Sequence, residues 1–447
     1  MTINATFRKL SRRPEARHAG LLISGSMAAQ LALLATAPLL ARLFSPEAFG
    51  LFALMLVVST IGGSVGGLCY EVAVILPRSR RTALSLYRLA FALSLVTPFV
   101  MVGLLLLVQH SFPALLGKVM APDFYMYCLG GMMLTTQLNL LSYGHSRAGQ
   151  YGAISVNKLT QTLLPALAQI GLALVGLAGQ GLMLGRVLGL AASQLWLARG
   201  LPPGYRLRDM AKARPAALWV AARTYRDFLV HVPRQFLVRG ATMLPAALLL
   251  GAYGPVVAGL YFFAQRLIER PGMLLGDSLT RVPMKQFADR VQEAKALARA
   301  AILYTAAVSA PVIAGVLVLA LTAHPLFRIL FGAQWEGAAD YALVLAGWTA
   351  IRLISLPLST LPTVLRKQAF SFWIDLLFAG RVLVIPLLAA HQVGALAAVA
   401  AFCALSILYH LATMALGLAA ALAHDRAHDR ALAAAPTNFV RTGETYV

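Results

Sequence analysis

Twelve apolar stretches separated by polar turns run along the chain, at about 18–41, 49–76, 84–109, 120–142, 153–176, 179–199, 228–250, 255–280, 299–323, 338–361, 369–390 and 393–423. Each is near the roughly 20 residues that a helix needs to cross a bilayer. Several contain Pro or paired Gly, which transmembrane helices tolerate better than soluble ones do. The pattern predicts an all-α, polytopic membrane protein with 12 transmembrane helices. The first stretch follows Arg8, Lys9, Arg12, Arg13 and Arg17, and so begins like a signal peptide. Its apolar run from Ala19 to Ala41 is too long for one, and Pro38 falls just after the only Ala-x-Ala site. It therefore reads as a retained first span.

Composition points the same way. Of 447 residues, 59% are hydrophobic and only 12% are charged, against roughly 25% charged in soluble domains. That excludes a soluble enzyme, a disordered chain and a disulfide scaffold. The net charge of +22 raises nucleic acid as a partner, so the placement of the charge decides. Of the 38 basic residues, 31 fall on the side of the N-terminus, and only Arg42, Lys118 and Arg328 fall on the other. The remaining four, Arg186, Arg239, Arg352 and Arg381, lie within spans. Basic loops stay in the cytoplasm, so both termini are expected there, and the excess charge is topology signal and contact with anionic lipid. No nucleic-acid partner is expected.

The most hydrophilic stretch lies mid-chain. Residues 200–227 mix Pro202, Pro203 and six basic residues with Leu207, Leu218, Trp219 and Tyr225, which suits a linker with an interfacial helix. It divides the chain into a cytoplasmic N-terminal segment (1–17), an N-lobe (18–199), the linker (200–227), a C-lobe (228–423) and a cytoplasmic tail (424–447). The lobes look related. Pro46-Glu-Ala-Phe-Gly50-Leu-Phe opens the second span, and Pro255-Val-Val-Ala-Gly259-Leu-Tyr opens the eighth, 209 residues later. Pro38 pairs with Pro245, and Pro165 with Pro386. Matches at the same span index predict two six-helix lobes that are parallel repeats about the membrane normal.

Most motifs dissolve on inspection. Gly62-Gly-Ser64-Val-Gly66 has the spacing of a nucleophile elbow, but that chemistry needs a strand-to-helix turn. Inside a span, these glycines predict close helix packing. Gly117-Lys118 lacks the upstream glycine of a phosphate-binding loop. His424 and His428 stand four apart with nothing to complete a coordination sphere, and read as a solvated helical tail. Cys69, Cys128 and Cys403 are scattered in apolar stretches and read as core residues. No metal, no cofactor and no enzymatic centre are expected, and no outer loop is long enough for a catalytic domain.

The charges inside spans carry the chemistry. Each costs about 2.5–3.5 kcal/mol on insertion scales, so it defaults to a functional hypothesis. Arg239, Arg352 and Arg381 fall near mid-span, Arg186 lies nearer the outer face, and Asp375 is the one carboxylate well inside a span. Four arginines against one carboxylate predict a cationic cavity for an anionic substrate, because guanidinium groups suit phosphate oxygens. Arg239, Arg381, Arg352 and Arg186 are the candidate substrate-binding residues, with snorkelling or ion pairing as the alternative. Asp375 is the candidate cation-coupling residue or the partner of an arginine, although its spacing from Arg381 puts the two about 120° apart on a helix.

At these residues the sequence resembles the polysaccharide (O-antigen type) flippases of the multidrug/oligosaccharidyl-lipid/polysaccharide exporter superfamily. Tyr70-Glu71-Val-Ala-Val-Ile-Leu-Pro77 looks like the family's Tyr-Glu-x-Ala-Ile-x-Leu-Pro signature. Tyr225-Arg-Asp-Phe228, Pro245, Gly251-Ala-Tyr-Gly254, Ala258-Gly259-Leu-Tyr261, Ala264-Gln-Arg266 and Pro271 then follow in the family's order. Cys69 stands where relatives often carry a basic residue, and Arg281-Val282 where they usually carry Gln-Val. The resemblance spans about 15–423 and implies alternating access by two lobes in the bacterial inner membrane. It implies an undecaprenyl-diphosphate-linked oligosaccharide as substrate, for O-antigen, capsule or exopolysaccharide synthesis. Membrane lipids, and a glycan polymerase or assembly proteins, would be partners. A drug or metabolite exporter of the same superfamily is the alternative reading.

Overall fold

A computed structural model describes residues 14–111, 121–365 and 373–434, apart from single positions at 178, 213, 294, 376 and 379. The expected N-terminal segment up to 13, Lys118 and the tail beyond 434 lie outside the described residues. The chain is built from helices, and no strand occurs among the described residues. In order these are α1 (Pro14–Leu43), α2 (Pro46–Val65), α3 (Arg80–Ser111), α4 (Pro122–Arg147), α5 (Tyr151–Leu174) and α6 (Gly181–Arg199). Then come α7 (His231–Tyr253), α8 (Pro255–Gln292), α9 (Ala298–Phe331), α10 (Ala338–Ser359), α11 (Val384–Ala390) and α12 (Ala395–Ala434).

Eight helical segments among the described residues are long and apolar enough to cross a membrane. They fall on α1, α2, α3, α6, α9, α10, α11 and α12. The twelve spans expected from the sequence are not all of this kind. The helices outside that set, α4, α5, α7 and α8, are long but carry many polar side chains, such as Asn139, Asn157, Lys158, Gln235 and Arg239. Surface apolarity makes the bilayer necessary. Val96 and Phe99 on α3 and Leu317, Val318 and Leu321 on α9 are all exposed, with Leu321 reaching 82%. Large apolar side chains left exposed in such numbers on each helix are not tolerated in water, so this is a multi-pass membrane protein.

The described chain forms two compact units. The first runs to Leu267 and adds His324–Tyr341 and Ile385–Ala398; the second comprises Ile268–Ala323, Ala342–Val384 and the residues from Val399 on. In the first unit, close packing falls where the small residues are. Gly62 and Gly63 on α2, and Gly66 just beyond its end, face Met132, Thr135 and Thr136 on α4, and Thr136 Oγ1 donates to the Gly63 carbonyl at 3.2 Å. Gly185 and Gly189 on α6 press on Gln169 and Pro165 of α5. The α2 start is specified locally: Ser45 caps it by accepting from the Ala48 N–H, with Pro46 and Glu47 in the first turn. Gly50 lies against Pro255 and Gly259 against Pro46, so the two Pro-x-x-x-Gly segments meet reciprocally. An aromatic cluster of Phe49, Phe263, Phe331 and Trp335 fills in beside them, and Trp335 Nε1 donates to the Ala41 carbonyl at 2.7 Å.

The helix Pro215–Thr224 of the linker buries Ala221, while Trp219 and Val220 are more than half exposed and Arg223 lies over the Trp219 ring. In the second unit, Phe287, Leu297, Leu358, Leu361 and Ala421 form the core. The segment from 424 is helical, as expected, with exposed or half-buried side chains through Arg430, and Asp425 anchors it. Here α12 continues to Ala434, and Asp425 accepts from the Leu297 and Ala298 N–H groups at 2.8 and 2.9 Å. Those N–H groups open α9 and have no partner within the helix, so a carboxylate beside them is favourable. The three cysteines are free and buried, as expected.

Candidate functional site

In the first unit, α4, α5, α7 and the end of α2 surround a cavity of about 470 Å³. Its walls are set by helical spacing. Asn139, Ser142, Tyr143 and Ser146 recur at the i, i+3, i+4, i+7 positions of α4. Ile154, Asn157, Lys158 and Gln161 repeat the same interval on α5, and Gln235 and Arg239 lie one turn apart on α7. Side chains at this spacing share one helix face. Two polar stripes and an arginine thus converge on one space. In the sequence these stripes signal only through their spacing, because none of their residues except Lys158 is charged.

The fourth wall is a break in the membrane helix. After Val65 the backbone leaves α2, Leu68 and Cys69 take positive φ values of 49° and 63°, and a short helix resumes at Tyr70–Ala73. The carbonyls freed beyond it are gathered by one side chain. Arg147 donates to Val74, Ile75 and Pro77 at 2.9, 3.1 and 2.7 Å. Glu71 lines the cavity from this break, with Lys158 and Arg239 also on its walls. Lys158 Nζ donates to Ser26 Oγ of α1 at 2.8 Å. The cavity therefore holds two cations against one carboxylate, among neutral amides and hydroxyls.

The arginines predicted from sequence do not fall in one place. Arg239 lines the cavity. Arg186 donates to the Gln161 carbonyl at 3.2 Å, which braces α5 behind its polar stripe. Arg352, Arg381 and Asp375 belong to the second unit. There Arg381 lies over the Tyr409 ring at 5.2 Å and donates to Ser406 Oγ at 3.1 Å, and Tyr409 donates to Asp375 at 2.7 Å. Asp375 and Arg381 are thus linked through Tyr409, which resolves the 120° offset between them. Arg352 stacks on Trp348 at 5.8 Å, and His410, next to Tyr409, lies 3.3 Å from Ser355 Oγ. The span carrying Arg381 is not a uniform helix. Gly380–Leu383 is a 3₁₀ turn before α11, because Pro386 offers no N–H to the Val382 carbonyl and its ring crowds that turn.

Comparisons with known proteins agree with this architecture. The family model described as polysaccharide biosynthesis protein matches residues 39–340. No curated protein sequence matches the chain. Among solved structures, the chain is similar to the lipid II flippase MurJ in an inward closed conformation, with TM-score 0.62, 11% identity, and coverage of 93% of both chains. It is also similar to a multidrug resistance MATE family transporter of the MOP superfamily in an inward-facing conformation, with TM-score 0.55, 15% identity, and coverage of 91% of this chain and 95% of that one. A third similar structure is a MATE protein in complex with MaL6, with TM-score 0.53, 14% identity, and coverage of 93% and 98%. At these identities the likeness is one of fold.

Proposed function

Because the chain belongs to the polysaccharide biosynthesis protein family, we propose that it is a flippase for a polyprenyl-diphosphate-linked oligosaccharide. It would work by alternating access in the bacterial inner membrane, with both termini cytoplasmic. The observation that carries this reading is the cavity itself, where Lys158 and Arg239 stand among amide and hydroxyl side chains. An ammonium and a guanidinium in a partly dry space bind diphosphate oxygens through charge-assisted hydrogen bonds. Asn139, Asn157, Gln161, Gln235 and Tyr143 offer the donors and acceptors that sugar hydroxyls require. The polyprenyl tail needs no pocket, since lipid solvates it.

In this reading Arg381 and Arg352 form a second anion-contacting group, and Arg186 acts by holding α5. Asp375 competes with any anionic ligand for that region, and its neutralisation would release Tyr409 from its hydrogen bond. The alternative, an exporter of drugs or metabolites, is less well served. A cavity with two cations and one carboxylate disfavours cationic drugs.

The test is replacement of the cavity arginine in cells that make the glycan. Arg239→Ala should abolish surface glycan at normal membrane abundance, and Arg239→Lys should restore only part, because an ammonium keeps the charge but loses the bidentate geometry. Full transport by Arg239→Ala would refute the cationic-site reading.

A further inference from the structure

The linker helix Pro215–Thr224 turns an apolar face outward. Ala221 belongs to the buried cluster that contains Tyr70, Leu86, Tyr87 and Ala90, and Ala222 packs against the same cluster. Trp219 and Val220 lie on the other side of the helix, 63% and 58% exposed. Arg223, one turn on from Trp219, is exposed beside them, with its guanidinium 5.4 Å from the centre of the Trp219 ring.

The depth of this helix says what covers that face. It packs on α3, in the cluster that takes in Leu86 to Ala90. At 1.5 Å per residue, those positions lie about 9–15 Å from the Arg80 start of α3. The large apolar side chains that α3 exposes begin with Leu95 and Val96, about 8–9 Å further along. The linker helix is therefore level with the rim of the lipid-facing band, where tryptophan and basic amphipathic helices settle. The charge around it selects the lipid. From 206 to 230 the exposed charged residues are Arg208, Lys212, Arg214, Arg223, Arg226 and Asp227, while Asp209 is buried against Lys212 and the Gly204 N–H. Five cations against one carboxylate suit an anionic headgroup layer.

The same helix is tied to the cavity. The last carbonyls of a helix have no partner within it, and Tyr70 Oη donates to that of Ala222 at 3.1 Å. Tyr70 opens the short helix that follows the left-handed Leu68 and Cys69, and its neighbours Cys69 and Glu71 line the cavity. We infer that the Trp219 face is a docking surface for anionic phospholipid in the leaflet on the side of the basic loops, and that lipid seated there steadies the cavity wall through Tyr70. Neither half depends on what the cavity carries.

The test uses the full-length protein reconstituted in phosphatidylcholine vesicles with or without phosphatidylglycerol. Bromine on the acyl chains quenches a tryptophan that it touches, and the Trp219 signal is the emission lost in Trp219→Phe. That signal should be quenched severalfold more strongly by brominated phosphatidylglycerol than by the same fraction of brominated phosphatidylcholine. Arg208→Gln combined with Arg214→Gln should remove the preference. Equal quenching of wild type by the two lipids would overturn the anionic site. Quenching by aqueous iodide and by neither lipid would overturn it too, since the helix would then stand in water with its face open to a protein partner. The Cys69 thiol reports on the wall, in protein carrying Cys128→Ala and Cys403→Ala. Phosphatidylglycerol should slow its reaction with a small methanethiosulfonate reagent severalfold, and Tyr70→Phe should abolish that difference. Equal rates in the two vesicles, or a lipid effect that survives Tyr70→Phe, would overturn the tie to the cavity.

Discussion

The reciprocal contact of Gly50 and Gly259 gives a perturbation whose size follows from geometry. A Cβ built on Gly50 would lie 2.7 Å from the Pro255 carbonyl carbon and 2.9 Å from its Cα. On Gly259 it would lie 2.7 Å from the Pro46 carbonyl carbon and 3.0 Å from the Gly50 nitrogen. Comfortable carbon–carbon contact needs about 3.5–4.0 Å. Backbone cannot swing aside as a side chain does, so the α2 and α8 starts must part by about 1 Å, loosening contacts in the neighbouring Phe49, Phe263 and Trp335 cluster. Overpacking of this kind costs about 1–3 kcal/mol, and alanine returns at most about 1 kcal/mol of helix propensity. Gly50→Ala should therefore destabilise by about 1–2 kcal/mol, read as a lower melting temperature of the detergent-solubilised protein by size-exclusion. Adding Gly259→Ala should cost less than it does alone, because the helices have already separated. Gly103→Ala and Gly315→Ala, where a Cβ meets nothing within 4 Å, should gain the propensity term alone and be neutral to stabilising by up to about 1 kcal/mol. If Gly50→Ala melted with the Gly103 control, the inferred crossing would be wrong.

Further outcomes are expected elsewhere in the molecule. Arg147→Ala leaves the Val74, Ile75 and Pro77 carbonyls without their shared donor and should destabilise by about 2–3 kcal/mol, with Arg147→Lys intermediate in the same melting assay. In the linker, the Lys212 ammonium and the Gly204 N–H hold the Asp209 carboxyl below its ordinary 3.8. A lowered carboxyl stabilises the fold above its unfolded value and loses that contribution as pH falls through the lowered one. Proteolysis of the linker should thus accelerate on acidification below about pH 4 in the wild type and be independent of pH there in Asp209→Asn. Asp375→Asn weakens the acceptor for Tyr409 and should reduce glycan transport if that carboxylate takes part in the cycle; unchanged transport would remove it from the mechanism. A cysteine at Ala211, in a background lacking the native three, should react with impermeant maleimide in inverted vesicles and not in intact cells, and the reverse would invert the topology.

Much of the fold was readable because membrane helices announce themselves by apolar runs. The match of Pro46–Gly50 to Pro255–Gly259 proved more informative than its length suggested, since these two segments touch. The site was read only in part. Arg239 stood out because an arginine in a span is rare, whereas Asn139, Ser142, Tyr143 and Ser146 are individually ordinary and signal only through their spacing. Glu71 is legible in the sequence only as part of the Tyr70–Pro77 signature, because no local pattern at Leu68 and Cys69, neither Gly nor Pro, announces a left-handed break. The tie between Asp375 and Arg381 runs through Tyr409, more than 25 residues away, and no spacing rule on one helix reveals it.

The central claim is movement of a lipid-linked glycan between leaflets. Its most direct test is depletion of the protein, followed by extraction of polyprenyl-linked glycans and assignment of the leaflet that holds them. The account predicts accumulation on the cytoplasmic face together with loss of surface polysaccharide. Normal distribution of these lipids between the leaflets, with surface polysaccharide intact, would contradict it.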